Sequence, residues 1–105
     1  QATISKTVSS IGSGTFQGCS SLRTLKIGSK VSSIGAKAFY DCKALTSVTI
    51  QSKKLTSGSV GKSAFAKAGR NNYKKLMVKV PKSRLSAYKK LLKAKGLSSK
   101  TKVTK

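Results

Sequence analysis

Apolar residues return along this chain in a fixed order and at a fixed distance. Val8 to Ile27 reads VSSIGSGTFQGCSSLRTLKI, Val31 to Ile50 reads VSSIGAKAFYDCKALTSVTI, and the two align without a gap. Ile11 and Ile34, Gly12 and Gly35, Phe16 and Phe39, Cys19 and Cys42, Leu22 and Leu45, and Ile27 and Ile50 are each 23 residues apart. A repeat of this length forms a coil that cannot bury its own apolar side; stacked copies turn each apolar column into a continuous internal ladder. In TLKI and SVTI, strict alternation sends Leu25, Ile27, Val48 and Ile50 inward, as in a half-buried strand, with Lys26 and Thr49 facing out. The glycines at 12, 35 and 61 follow a short apolar strand at a bend that a side chain would obstruct. Phe16, Phe39 and Phe65 fill the wide end of each coil.

A third copy is looser. Val60, Gly61 and Phe65 match Ile34, Gly35 and Phe39, and Ala68 takes the cysteine column. A polar insertion centred on Gly69, Arg70, Asn71 and Asn72 follows, after which Tyr73, Leu76 and Val78 are expected to resume the columns of Leu45, Val48 and Ile50. At the other end Ile4 lies 23 residues before Ile27, so the chain is expected to open on the last strand of a coil otherwise missing, as an excised fragment would. Such an uncovered rung invites self-association.

From Pro81 the period changes. Proline suits a first helical position, Leu85, Tyr88, Leu91 and Leu92 recur on one face, and Gly96 supplies a stop. Lys89, Lys90, Lys93 and Lys95 crowd toward the end where the helix dipole favours cations. In the tail, Thr101 and Val103 alternate well enough for a short strand, or for a frayed end. The division expected is therefore 1–80 for the repeats, with a truncated first coil, two full coils and an irregular third, and 81–105 for a helical cap and basic tail.

The pattern V-x-x-I-G-x-x-x-F-x-x-C-x-x-L-x-x-L-x-I resembles the BspA-like class of leucine-rich repeats, the bacterial surface-antigen type, over Val8 to Val80. The ending VKVPKSRLSAYKKLLKAKGL resembles the terminal cap of such proteins. The resemblance implies an α/β solenoid, a right-handed superhelix of short parallel strands closed by a capping helix. It also implies secretion or cell-surface display, and binding of host or bacterial surface macromolecules. The opening QATISKTVSS shows no leader pattern, and no stretch is long and apolar enough to span a membrane as a helix.

Charge narrows the chemistry. Twenty-three Lys and Arg face one acidic residue, Asp41, for a formal charge of +22. Such a surface attracts dense polyanions such as teichoic acid or sulfated glycan, through an interaction that salt screens over ~8 Å. Specific nucleic-acid recognition is disfavoured, because only Arg23, Arg70 and Arg84 carry the planar fork that reads base edges, and no interleaved aromatics offer stacking. With no histidine and one carboxylate, most acid–base templates are impossible, so neither an enzyme nor a cofactor or metal site is expected. Cys19 and Cys42 read as small buried hydrophobes and free thiols, since inward side chains on parallel rungs rarely reach the disulfide torsion. Asp41 reads as a turn-capping carboxylate or the partner of a lysine.

The outward strand positions Thr24, Lys26, Ser47, Thr49, Lys75, Met77 and Lys79 make the candidate partner-binding face, because solenoids recruit partners on such extended surfaces. Against it stands a merely solvated sheet of Ser, Thr and Lys. A second candidate is the basic end from Lys74 to Lys105, gripping an anionic polymer; a third is a purely structural solenoid cap.

Overall fold

The computed structural model describes residues 2–4 and 8–105. Five short strands, β1 (Ala2–Ile4), β3 (Thr24–Ile27), β5 (Ser47–Ile50), β6 (Met77–Lys79) and β7 (Lys102–Thr104), form one sheet in that spatial order. Every neighbouring pair is parallel. Parallel neighbours so far apart in sequence need a crossover each time, and the rest of each coil is that crossover. Opposite lies a narrower ladder, β2 (Ser10–Ile11) beside β4 (Ser33–Ile34), which Val60 extends by one bridge to Ile34. The chain is thus a short solenoid whose core is the space between the two ladders.

The 23-residue offset is the register itself: Ile4 pairs with Ile27, Leu25 with Val48, Ile27 with Ile50 and Ile11 with Ile34. Leu25, Ile27, Val48 and Ile50 are all buried. The phenylalanines form a stacked column, with ring centroids 5.4 Å apart from Phe16 to Phe39 and 5.2 Å from Phe39 to Phe65. Offset aromatic stacking of this kind adds about 0.5–1.5 kcal/mol per pair beyond the area it buries.

The wide end of each coil holds the stack together through its backbone. Gly14, Phe16 and Gly18 donate their N–H groups to the carbonyls of Ala36, Ala38 and Tyr40 at 2.8–3.0 Å; Lys37, Phe39 and Asp41 repeat this to Lys62, Ala64 and Ala66. Intervening amides close turns within the coil, as Gln17 N–H does to Gly14. This alternation requires left-handed backbone at two recurring positions, occupied by Gly14 and Gly18, then Lys37 and Asp41, then Ser63 and Lys67. Glycine meets that demand without a Cβ penalty, whereas the later copies hold ordinary side chains there. Gly35 and Gly61 answer a different need: a Cβ would lie 2.3 Å from Ser13 N at Gly35 and 2.2 Å from Ala36 N at Gly61. The obstruction lies in the preceding coil.

The third coil corrects one expectation. Val78 stands opposite Val48, and Met77 opposite Ser47, an offset of 30. Tyr73, Leu76 and Val78 therefore do not take the columns of Leu45, Val48 and Ile50. The polar insertion is two residues longer than the pattern suggested, because tight turns (Asn72 N–H to Gly69, Lys75 N–H to Asn72) take up the chain before β6. A shift of two preserves the inside and outside of a strand, so Leu76, Val78 and Val80 are all buried.

After Pro81 the chain makes a 3₁₀ turn (Lys82–Arg84) and then helix α1 (Leu85–Ala94). Pro81 thus precedes the first helical residue instead of occupying it. Tyr88, Leu91 and Leu92 are buried and Leu85 packs partly against the core. The Tyr88 hydroxyl donates to Ser52 O at 2.7 Å and accepts from Leu55 N–H at 3.2 Å, pinning the helix to the loop after β5. The helix ends in a Schellman arrangement, with Gly96 N–H to Lys93 O and Leu97 N–H to Leu92 O. Gly96 has φ +103° and lies so close to Ala66 that a Cβ would fall 2.7 Å from its Cα. That proximity lets Lys95 O accept Phe65 N–H, the bond a further coil would otherwise supply. The tail does not fray: Thr101 donates its hydroxyl to Tyr73 O at 2.8 Å and β7 pairs with β6.

Candidate functional site: the outer face of the sheet and its margin

Because the strands are parallel and in register, their outward residues fall into two lines. One runs Thr24, Ser47, Met77, Lys102; the other runs Lys26, Thr49, Lys79, Thr104. Rungs in such a sheet are ~4.8 Å apart, so four of them present a surface roughly 15 Å long. Lys26, Lys79 and Lys102 are exposed, Thr24, Ser47, Thr49 and Thr104 half-buried, and Met77, at 41%, is the exposed large hydrophobic among the described residues. The structure therefore brings together Thr24, Lys26, Ser47, Thr49, Met77 and Lys79. Lys75 is a correction: the longer insertion leaves it in the turn before β6, off the face. Lys102 and Thr104 were missed as face residues, although the alternation of Thr101 and Val103 held the signal.

At the end of the sheet where the strands begin lies a depression of about 320 Å³. It is lined by Arg23, Lys43, Ala44, Leu45, Thr46, Asn71, Asn72 and Lys75. Sequence reasoning missed it, because its walls come from separate coils and the insertion. An apolar groove of about 570 Å³ runs between Leu55–Ser57 and the helix residues Ala87, Tyr88, Leu91 and Ala94.

A family model described as "BspA type leucine rich repeat region (6 copies)" matches residues 1–104. The chain belongs to the BspA-type leucine-rich-repeat family. No curated protein matches this BspA-type chain, and no solved structure matches it.

The remaining reactive groups of the BspA-type coils are tied into the fold. Cys19 and Cys42 are free thiols; Cys42 is fully buried, donates to Phe16 O at 3.0 Å, and is pushed up to about 11 by that burial. A thiol held protonated at neutral pH is a poor nucleophile. Asp41 pairs with Arg70, neither with a lysine nor with its own turn, because the insertion carries the guanidinium across to it. That pairing holds its carboxyl below the usual range. Tyr40 lies between two lysines, with Lys37 Nζ 5.5 Å and Lys67 Nζ 5.7 Å from the ring centroid, close enough for cation–π attraction. Among the described residues no three histidine, cysteine or carboxylate side chains gather, and no helix is long and apolar enough to cross a membrane.

Proposed function

We propose that this chain is a non-catalytic recognition module of a bacterial cell-surface or secreted protein, binding macromolecular partners in adhesion or protein–protein interaction through the outer face of its sheet. The supporting observation is the two-line surface of Thr24, Ser47, Met77 and Lys102 beside Lys26, Thr49, Lys79 and Thr104, rigidly spaced by the parallel ladder. Membership of a leucine-rich-repeat family supports the same reading, since stacked repeats build extended binding surfaces. In a longer parent solenoid, wound as a right-handed superhelix, residues 81–105 would close the stack and the face would continue over further coils.

A panel of purified host surface proteins and wall polymers, scored by biolayer interferometry, tests the proposal. Lys26→Glu with Met77→Glu and Lys79→Glu should weaken binding of any hit by tenfold or more, about 1.4 kcal/mol, without lowering Tm. Lys82→Gln with Lys89→Glu and Lys93→Glu, the same change in charge placed on the helical segment, should leave binding within about threefold. Equal losses in both variants would show charge alone at work, and no loss in the first would remove the face from the mechanism.

The lysines from 74 to 105, without an acidic partner among them, favour a second reading in which the basic terminus binds an anionic polymer such as teichoic acid or sulfated glycan. It predicts retention on that polymer that falls steeply with added salt.

A further inference from the structure

We infer that the depression at the strand-start margin is a binding site for a tetrahedral oxyanion ester, a sulfate or phosphate group carried on a larger molecule. Its three cations come from three different coils: Arg23 precedes β3, Lys43 precedes β5 and Lys75 precedes β6. The three cationic residues converge on one concavity. No carboxylate lines it, and the chain's single acidic side chain, Asp41, is engaged by Arg70. Three like charges around one hollow repel each other, and an anion seated among them removes that repulsion.

The walls are fixed by the backbone. Arg23 O accepts the N–H of Thr46 at 2.8 Å and its hydroxyl at 3.3 Å, and Thr46 O accepts Met77 N–H at 3.1 Å. Lys43 O accepts Asn71 N–H at 3.0 Å, and Asn72 O accepts Lys75 N–H at 3.0 Å. Each cation therefore starts from an anchored residue. The third wall exists because of the insertion, which carries the offset from 26 at Val60 to 30 at Val78 and supplies Asn71, Asn72 and Lys75. Two carboxamides and three cationic side chains give a donor-rich lining with Thr46 as a further hydroxyl, the complement of an acceptor-only oxyanion. At about 320 Å³ the hollow holds the ester group and part of its carrier, at the small end of ligand pockets. The site is separate from the sheet face, so its loss leaves the proposed recognition surface intact.

The test is titration of the ¹⁵N-labelled chain at fixed ionic strength with a heparin-derived tetrasaccharide and, separately, a glycerol phosphate oligomer. The side-chain amides of Asn71 and Asn72 should shift saturably with at least one of them. Saturation by the first alone assigns a sulfate ester, by the second alone a phosphate ester, and by both a site that reads the shared geometry. Arg23→Gln with Lys43→Gln and Lys75→Gln should weaken binding about tenfold or more, whereas Lys30→Gln with Lys54→Gln and Lys62→Gln, an equal loss of charge at exposed positions outside both the hollow and the basic terminus, should change it by less than about threefold. Lys75→Gln alone, in an exposed turn, provides a variant whose folding is not in question and should lose part of the affinity. Absence of saturable shifts at Asn71 and Asn72, or equal losses in the two triple variants, overturns the site.

Discussion

Replacing Gly35 by alanine tests the stacking of the coils more sharply than any core truncation. The new Cβ would sit 2.3 Å from Ser13 N and 2.6 Å from both Gly12 C and Ser13 Cα, all backbone atoms that cannot rotate away. Restoring ordinary contact separates two coils by about 1 Å. That displacement breaks or stretches the bonds from Gly35 N–H to Ile11 O at 2.7 Å and from Gly14 N–H to Ala36 O at 3.0 Å. Overpacking costs about 1–3 kcal/mol and each strained bond about 1, so the loss should be about 3–5 kcal/mol. Against a total stability of about 5–15 kcal/mol this is severe, and Tm should fall by at least about 12 °C. Gly61→Ala should behave alike. Gly12→Ala is the internal control: it has the same motif position, but only the Thr15 side chain lies near, at 3.2 Å, so its effect should stay within about 1 kcal/mol. Urea and thermal unfolding of the three variants measure this directly. Equal losses at Gly12 and Gly35 would refute the argument that the preceding coil makes glycine obligatory.

Three further outcomes follow from single side chains. Tyr88→Phe leaves Ser52 O and Leu55 N–H without their hydroxyl partner in a buried setting, so it should cost about 2–4 kcal/mol by urea unfolding; a loss below about 0.5 would mean the hydroxyl does not pin the helix. Ser63→Gly relieves left-handed backbone at φ 59° and should raise stability by about 0.5–1 kcal/mol, an effect absent if that turn is not left-handed in solution. Asp41 has its folded pKa held below the ordinary 3.8 by Arg70, so the pair stabilises the fold above that value and its contribution disappears as pH falls through the folded pKa. With no histidine in the chain, stability should be flat from about pH 5 to 8. Arg70→Gln should raise the NMR-observed titration of the Asp41 carboxyl, and an unmoved titration would show the pair to be absent in solution.

The sequence made the first two coils legible because a stacked repeat forces like residues into contact, and Phe16 over Phe39 or Ile27 over Ile50 cannot drift without leaving a gap. The third coil was misread by two residues for an equally physical reason. Leu76, Val78 and Val80 alternate with Met77 and Lys79, and a strand shifted by two keeps every apolar side chain inward, so pattern alone cannot choose between the registers. The same ambiguity placed Lys75 on the face. The left-handed positions were written in the first coil as Gly14 and Gly18 but masked in the later ones by Lys37, Asp41, Ser63 and Lys67. The Arg23, Lys43 and Lys75 hollow was invisible because convergence of residues from separate coils depends on the length of an insertion, and that length was the quantity misjudged.

Along the column of Phe16 and Phe39 the hydrogen bonds run one way, each coil offering its amides to the coil that follows. A stack built so has a head and a tail, and only its tail needs an acceptor. Lys95 answers that need by contacting one coil, through Phe65 alone in that ladder. The helical segment therefore meets the stack at the coil of Phe65 and at the loop after β5, so whole repeats could be gained or lost ahead of that loop without redesigning this junction.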